Sequence, residues 1–164
     1  MARILIVGGG CRGRALARSL AGEGNAVRIT TRTERGRAAI EAAGAECWLG
    51  TPDRLATLRG ALDGVTVLCW LLGTASGPAE ELRALFTTRL EFLLTQTIDT
   101  TMRGFVYECR GSVPGALLAR GERIVTALTA RNQIPAALLT AAPADPQAWL
   151  AQARAAIDGL LAPG

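Results

Sequence analysis

Apolar positions along this chain fall into two patterns that take turns from end to end: short unbroken runs, and longer stretches with helical spacing. Residues 3–7, Arg-Ile-Leu-Ile-Val, are apolar without alternation, as in a strand covered on both faces of a parallel sheet. Glycines 8, 9, 10 and 13 follow. Residues 14–20 then form an Ala-rich helical segment with Leu16 and Leu20 four apart, stopped by Gly22, Gly24 and Asn25. A second strand is predicted over 26–31, a helix over 35–43 closed by Gly44, and a third strand over 46–49. Thr51 as N-cap, Pro52 at the first helical position and Leu55, Leu58 and Leu62 on one face predict a third helix ending at Gly64. Residues 65–72, the most hydrophobic segment, read as a central strand. Pro78 opens a long helix to about residue 98 with Leu82, Leu85, Phe86, Leu90, Leu93 and Leu94 at helical spacing. A strand over 104–109, a helix over about 114–132, a strand over 136–140 and a helix over 146–161 complete the alternation.

Six strands alternating with six helices predict an α/β fold: a three-layer, doubly wound parallel sheet in the order 3-2-1-4-5-6, because right-handed crossovers lay helices on both faces. At 164 residues the chain suits a single domain, 1–164. Hydrophobic residues make up 49% and charged residues 20%, a balance that excludes a disordered or fibrous chain. The first apolar run passes at once into glycines, which is neither a membrane span nor a signal peptide, so the expected location is the cytoplasm. Cys11, Cys47, Cys69 and Cys109 form no CxxC pair and the chain has no histidine, so neither a zinc cluster nor a disulfide scaffold is indicated. All 18 basic residues are arginine, spread along the chain with few aromatics between them, which argues against a nucleic-acid surface.

The segment Gly8-Gly9-Gly10-Cys11-Arg12-Gly13 contains G-x-G-x-x-G directly after a strand and before a helix, the context in which this motif binds a dinucleotide. Gly8 permits the tight turn, Gly10 lets the backbone approach a pyrophosphate, and Gly13 lets helix and strand pack closely. The free amides and the dipole of the helix N-terminus favour an anion there without any lysine. The plainer alternative is a turn that merely needs glycine. At the end of the second strand, where an acidic residue would select NAD, the sequence reads Thr30-Thr31-Arg32-Thr33. Arg32 suits a 2′-phosphate, with Arg12 close by, so the expected cofactor is NADP; Glu34 and Asp53 leave room for NAD.

From residue 3 to about 140 the chain resembles the extended and atypical short-chain dehydrogenase/reductase superfamily, particularly its NmrA-like NAD(P)-binding members. The glycine loop carries most of the likeness; Leu49-Gly50-Thr51-Pro52-Asp53-Arg54-Leu55 with Ala61-Leu62-Asp63-Gly64-Val65, and Phe105-Val106-Tyr107-Glu108, carry the rest. The resemblance implies that Asp53 lies near the adenine and that Ser112 matches the family's Ser or Thr after its fifth strand. The family's Tyr-x-x-x-Lys pair is missing, since the only tyrosine is Tyr107 and there is no lysine. In that chemistry the lysine lowers the tyrosine pKa so that the phenol exchanges protons near neutral pH. Family members also continue beyond the sixth strand into a substrate region, so any lid is expected to be absent or very small.

Two functions follow from these residues. The first is a non-catalytic nucleotide-binding or redox-sensing protein whose surface changes when cofactor binds. The second is a minimal NAD(P)H-dependent reductase passing hydride to a flat acceptor such as a flavin or quinone, with its site lined by Gly73, Thr74, Ser76, Arg110 and Ser112. A weaker third reading uses Cys109 or Cys11 as a redox thiol, Cys11 lying at the positive end of a helix. The long helix over 78–98 is one surface through which two copies could pair, although an ordinary core helix has the same pattern.

Overall fold

The first apolar run forms β1 (Arg3–Gly8) at the centre of the sheet in the computed structural model, which describes all 164 residues. It leads into α1 (Gly10–Ala21), β2 (Ala26–Thr31), α2 (Arg37–Ala42) and β3 (Glu46–Leu49). After two short 3-10 turns come β4 (Val67–Leu71), α3 (Ala79–Leu85), α4 (Thr88–Gln96), β5 (Gly104–Glu108), α5 (Gly115–Arg131), β6 (Ala136–Leu139) and α6 (Pro146–Leu161). The six strands pair in parallel in the order β3-β2-β1-β4-β5-β6, as their alternation with helices predicts.

Successive side chains of a strand point to opposite faces, so each central strand feeds two cores. Leu5, Val7, Leu68, Trp70, Phe105 and Tyr107 pack with Phe86, Leu90, Leu94 and Val125 from α4, α5 and the turn between α3 and α4. Ile4, Ile6, Val67, Cys69 and Val106 pack on the other face with Leu16, Leu20, Ile40, Trp149 and Ile157 from α1, α2 and α6. No helix is long and apolar enough to cross a membrane.

Two predicted helices come out differently. Residues 51–62 form no α-helix but two 3-10 turns, Leu55–Leu58 and Gly60–Leu62. The Thr57 hydroxyl accepts from the Thr51 amide at 2.9 Å and lies 2.6 Å from the Arg54 carbonyl it donates to, while the Trp48 indole donates to the Thr57 carbonyl at 2.8 Å. Side chains thus take backbone groups that a helix would need, the competition that makes threonine a poor helix former. The long helix over 78–98 is broken at Phe86 and Thr87, where the Thr87 hydroxyl donates to the Arg83 carbonyl at 2.7 Å and the backbone turns at φ −133°, ψ −97°. Leu85, Phe86, Leu90, Leu93 and Leu94 are all buried in the chain's own core, so the apolar face considered for pairing two copies is used internally; Phe92 and Ile98 are left exposed, at 53% and 45%.

Candidate functional site

Open α/β sheets bind ligands beyond the carboxyl ends of the strands, where the strand order reverses. Here that point lies between β1 and β4. Gly8, Gly9 and Gly10 carry the chain out of β1 with φ of +85°, +86° and +53°, a left-handed path that side-chain-bearing residues rarely take. The first bond inside α1 runs from the Gly13 amide to the Gly9 carbonyl at 3.0 Å, which leaves the amides of Gly10, Cys11 and Arg12 without a helical acceptor. A Cβ on Gly10 would meet no protein atom within 4 Å, so the loop presents bare backbone to open space at this point. Gly13 is buried, and a Cβ there would come within 2.9 Å of the Gly8 carbonyl oxygen, which is the close helix-to-strand approach that the motif demands.

A cavity of about 330 Å³ opens beside this loop, lined by Gly8, Gly9, Gly10, Arg32, Leu71, Leu72, Thr74, Ala75 and Ser76. It brings the glycine loop, the end of β2 and the segment after β4 together around one space. Larger grooves, of about 410 to 720 Å³, lie at the opposite, amino ends of the strands, around Asp63, Gly64 and Thr100, around Thr66, Arg103 and Pro135, and around Met1 and Ala2. Strand topology favours the smaller cavity, because in doubly wound sheets loops at the carboxyl ends do the binding.

Of the residues singled out in the sequence, Gly8, Gly10, Arg32, Thr74 and Ser76 line that cavity. Arg32 is 62% exposed and pairs with Asp53 at 2.6 Å; Arg89, in the first turn of α4, holds the other oxygen of Asp53 at 3.1 Å. The break after α3 thus sets Arg89 where it reaches Asp53, and two cations flank one carboxylate beside the end of β2. Thr31 and Ser112 do not line the cavity: the Thr31 hydroxyl donates to the Thr33 carbonyl at 3.3 Å, and Ser112 is exposed on the loop after β5. Cys11 is exposed at the start of α1, with the Arg14 guanidinium 3.1 Å from its sulfur.

A second cluster lies across β4 and β5. Glu108, the last residue of β5, is fully buried, yet its carboxylate accepts from the Gly73 amide at 2.7 Å and the Trp149 indole N–H at 2.7 Å, with Arg12 at 3.5 Å as countercharge. A buried carboxylate is tolerable only when paired and hydrogen-bonded in this way. Arg12 also donates to Thr74 Oγ1 at 3.2 Å and lies over the Trp149 ring, 5.3 Å from its centroid. Sequence reasoning missed Glu108 and Trp149 as site residues. The signal was present as a lone carboxylate ending the apolar run Phe105-Val106-Tyr107-Glu108.

Proton-transfer groups are scarce. The single tyrosine, Tyr107, is buried, donates to the Leu118 carbonyl at 2.7 Å, and has its pKa pushed upward chiefly by that burial. Burial, reinforced by the Glu122 carboxylate 3.2 Å away, raises the Cys109 thiol to about 12. It therefore stays protonated at neutral pH, unlike the redox thiol considered above. No group of three or more His, Cys, Asp or Glu side chains comes together.

No protein-family model matches the sequence, and no curated protein matches it. Solved structures do match its fold. Vestitone reductase from alfalfa is 17% identical with a TM-score of 0.64, over 84% of this chain and 56% of that one. A short-chain dehydrogenase/reductase superfamily protein from Agrobacterium tumefaciens, solved with bound NAD, is 20% identical with a TM-score of 0.67, over 83% and 48%. UDP-glucose 4-epimerase from Thermotoga maritima is 14% identical with a TM-score of 0.68, over 83% and 54%. At these identities the likeness establishes the Rossmann-type fold, and the chain spans about half the length of each of the three.

Proposed function

We propose that the chain is a single Rossmann domain that binds a nicotinamide dinucleotide, prefers NADP(H) to NAD(H), and acts as a non-catalytic nucleotide-binding or sensing protein of NmrA-like type. The observation that carries this reading is that one cavity joins three features: bare Gly10 backbone at a helix N-terminus, the Arg32 guanidinium and the segment after β4. A pyrophosphate is suited to the amides of Gly10, Cys11 and Arg12, which offer donors and the helix dipole without a side chain in the way. A 2′-phosphate is suited to Arg32, whose planar fork matches phosphate oxygens. Asp53 sits beside it, and Arg89 offsets that negative charge. Absence of catalysis is supported by the protein's own groups: no lysine, no histidine, and a single tyrosine held in the core by Leu118. A dinucleotide supplies hydride chemistry when bound, but no residue here stands ready to hold or move the accompanying proton.

Calorimetric titration of NADPH and NADH into wild type and Arg32→Ala tests the reading. NADPH is expected to bind more tightly, and Arg32→Ala to weaken it by about 10- to 100-fold, the worth of a charge-assisted hydrogen bond, while NADH changes little. Uptake of neither nucleotide, or an unchanged preference in Arg32→Ala, overturns it. Steady NADPH oxidation with added flavins or quinones would instead establish the reductase reading.

A further inference from the structure

Building on that reading, we infer that the protein recognises only the phosphorylated adenosine half of the dinucleotide, because Arg12, Glu108 and Trp149 close the half of the crevice that would take the nicotinamide. A dinucleotide spans both sides of the switch point, one nucleotide over β1 and β2 and the other over the carboxyl ends of β4 and β5. The first side is open, and its cavity also takes in Leu71, Leu72, Thr74, Ala75 and Ser76 from the end of β4 and the loop after it, so the closure lies towards β5. The second is fastened at three levels.

At the lowest level the backbones after β4 and β5 touch: a Cβ on Gly111 would run into the Gly73 carbonyl, which also accepts the Val113 amide at 3.0 Å. Above it, Glu108 ties the Gly73 amide to the Trp149 indole of α6, linking the β4 loop, the end of β5 and the last helix through one buried carboxylate. On top lies Arg12, only 19% exposed, bridging Thr74 and Glu108 and stacked on Trp149. Its Nε is buried and has no partner, so the guanidinium is held there by Thr74, Glu108 and the ring rather than by a full set of bonds. A nicotinamide ring would have to displace this cation, and the oxidised ring is itself cationic, so the two repel. The open cavity, about 330 Å³, lies at the lower end of the roughly 300–1,000 Å³ typical of ligand pockets, which suits an adenosine bisphosphate better than a whole dinucleotide.

The ligand class is therefore adenosine carrying a 2′-phosphate and a 5′-phosphate or diphosphate, whether free or as part of NADP(H), and the two redox states bind alike. Calorimetry of the whole chain with NADPH, NADP⁺, 2′-phospho-ADP-ribose and adenosine 2′,5′-bisphosphate tests this. The first three are expected to agree within about threefold, since a ring left in solvent adds little free energy. Saturation-transfer NMR with NADP⁺ is expected to reach the adenine and adenosine-ribose protons and to miss the nicotinamide protons. Arg12→Ala, which leaves the Gly73 and Trp149 bonds to Glu108 in place, is expected to let saturation reach the nicotinamide. A gain of about tenfold or more from the nicotinamide half, or equal saturation of both rings in wild type, overturns this inference alone. If none of the four is taken up, the inference falls together with the reading beneath it.

Discussion

At their carboxyl ends the two halves of the sheet handle charge in opposite ways. At the carboxyl end of β2 Arg32 and Asp53 pair at the rim of an open cavity, although lower in the same strand Arg28 is buried against Glu46. Around the ends of β4 and β5 the charges are internal: Glu108 is sealed beneath Arg12 and Trp149 and joins three elements. Exposed pairs are worth little and exchange partners easily, whereas a buried carboxylate holds its donors because water cannot replace them. One half is thus equipped to trade bonds with a ligand and the other to hold a structure together.

The largest consequence is a contrast in stability. Glu108→Ala strips the countercharge from Arg12 and acceptors from Gly73 and Trp149, and is expected to cost about 3–5 kcal/mol, the range for breaking a buried pair. Asp53→Ala, which takes a half-buried carboxylate from both Arg32 and Arg89, is expected to cost less, about 1 kcal/mol or below for each of the two pairs. Urea denaturation of both variants, with Glu108→Gln as a milder control, measures the difference. Equal losses would mean that the two halves are not energetically distinct.

A smaller stability effect separates folding from binding in the open half. Gly10 has φ +53°, which a residue with a side chain adopts at a cost of roughly 1–2 kcal/mol, but its Cβ direction is empty. Gly10→Ala is therefore expected to fold, with its methyl group standing where the phosphate approaches. Adenosine 2′,5′-bisphosphate affinity should fall by at least about tenfold. A variant that binds as well as wild type would remove the glycine loop from the site.

Much of this division could be read from residues near one another in the chain. The order of the sheet followed from runs such as 3–7 and 65–72 alternating with helical stretches, and the glycine loop from its place between strand and helix. Arg32 and Asp53 were both expected at the adenosine end, but not that they would pair with each other. The closed half was not legible, because its partners are distant: Arg12 and Glu108 are 96 positions apart, and Glu108 and Trp149 are 41 apart. Local pattern also overreached where side chains competed with backbone. Leucines at helical spacing over 55–62 suggested an α-helix, yet Thr57 and Trp48 captured the Arg54 and Thr57 carbonyls that it required. The segment over 78–98 kept its apolar face but not its continuity: the first helix ended at Leu85 and the next began at Thr88, with the Thr87 backbone at φ −133°, ψ −97° between them.

The thiols give the finest test of the same contrast. Cys11 lies exposed at the start of α1, whereas Cys109, only partly exposed just after β5, has its pKa raised to about 12, chiefly by burial and then by Glu122. Its ordinary value is 9.0, so between pH 9 and about 12 the unfolded chain has released a proton that the folded chain retains. Stability contributed by the protonated Cys109 is thus complete below pH 9 and is lost as pH rises toward 12. Cys69, fully buried and also raised to about 12 by desolvation, acts in the same direction. The urea midpoint should therefore decline from pH 9 upward, and Cys109→Ala should decline less steeply. Iodoacetamide at neutral pH should modify Cys11 well before Cys109, because alkylation requires an accessible thiolate. Prompt labelling of Cys109, or a midpoint slope that Cys109→Ala leaves unaltered, would show that water reaches beneath β5 and that the second half is looser than its bonds imply.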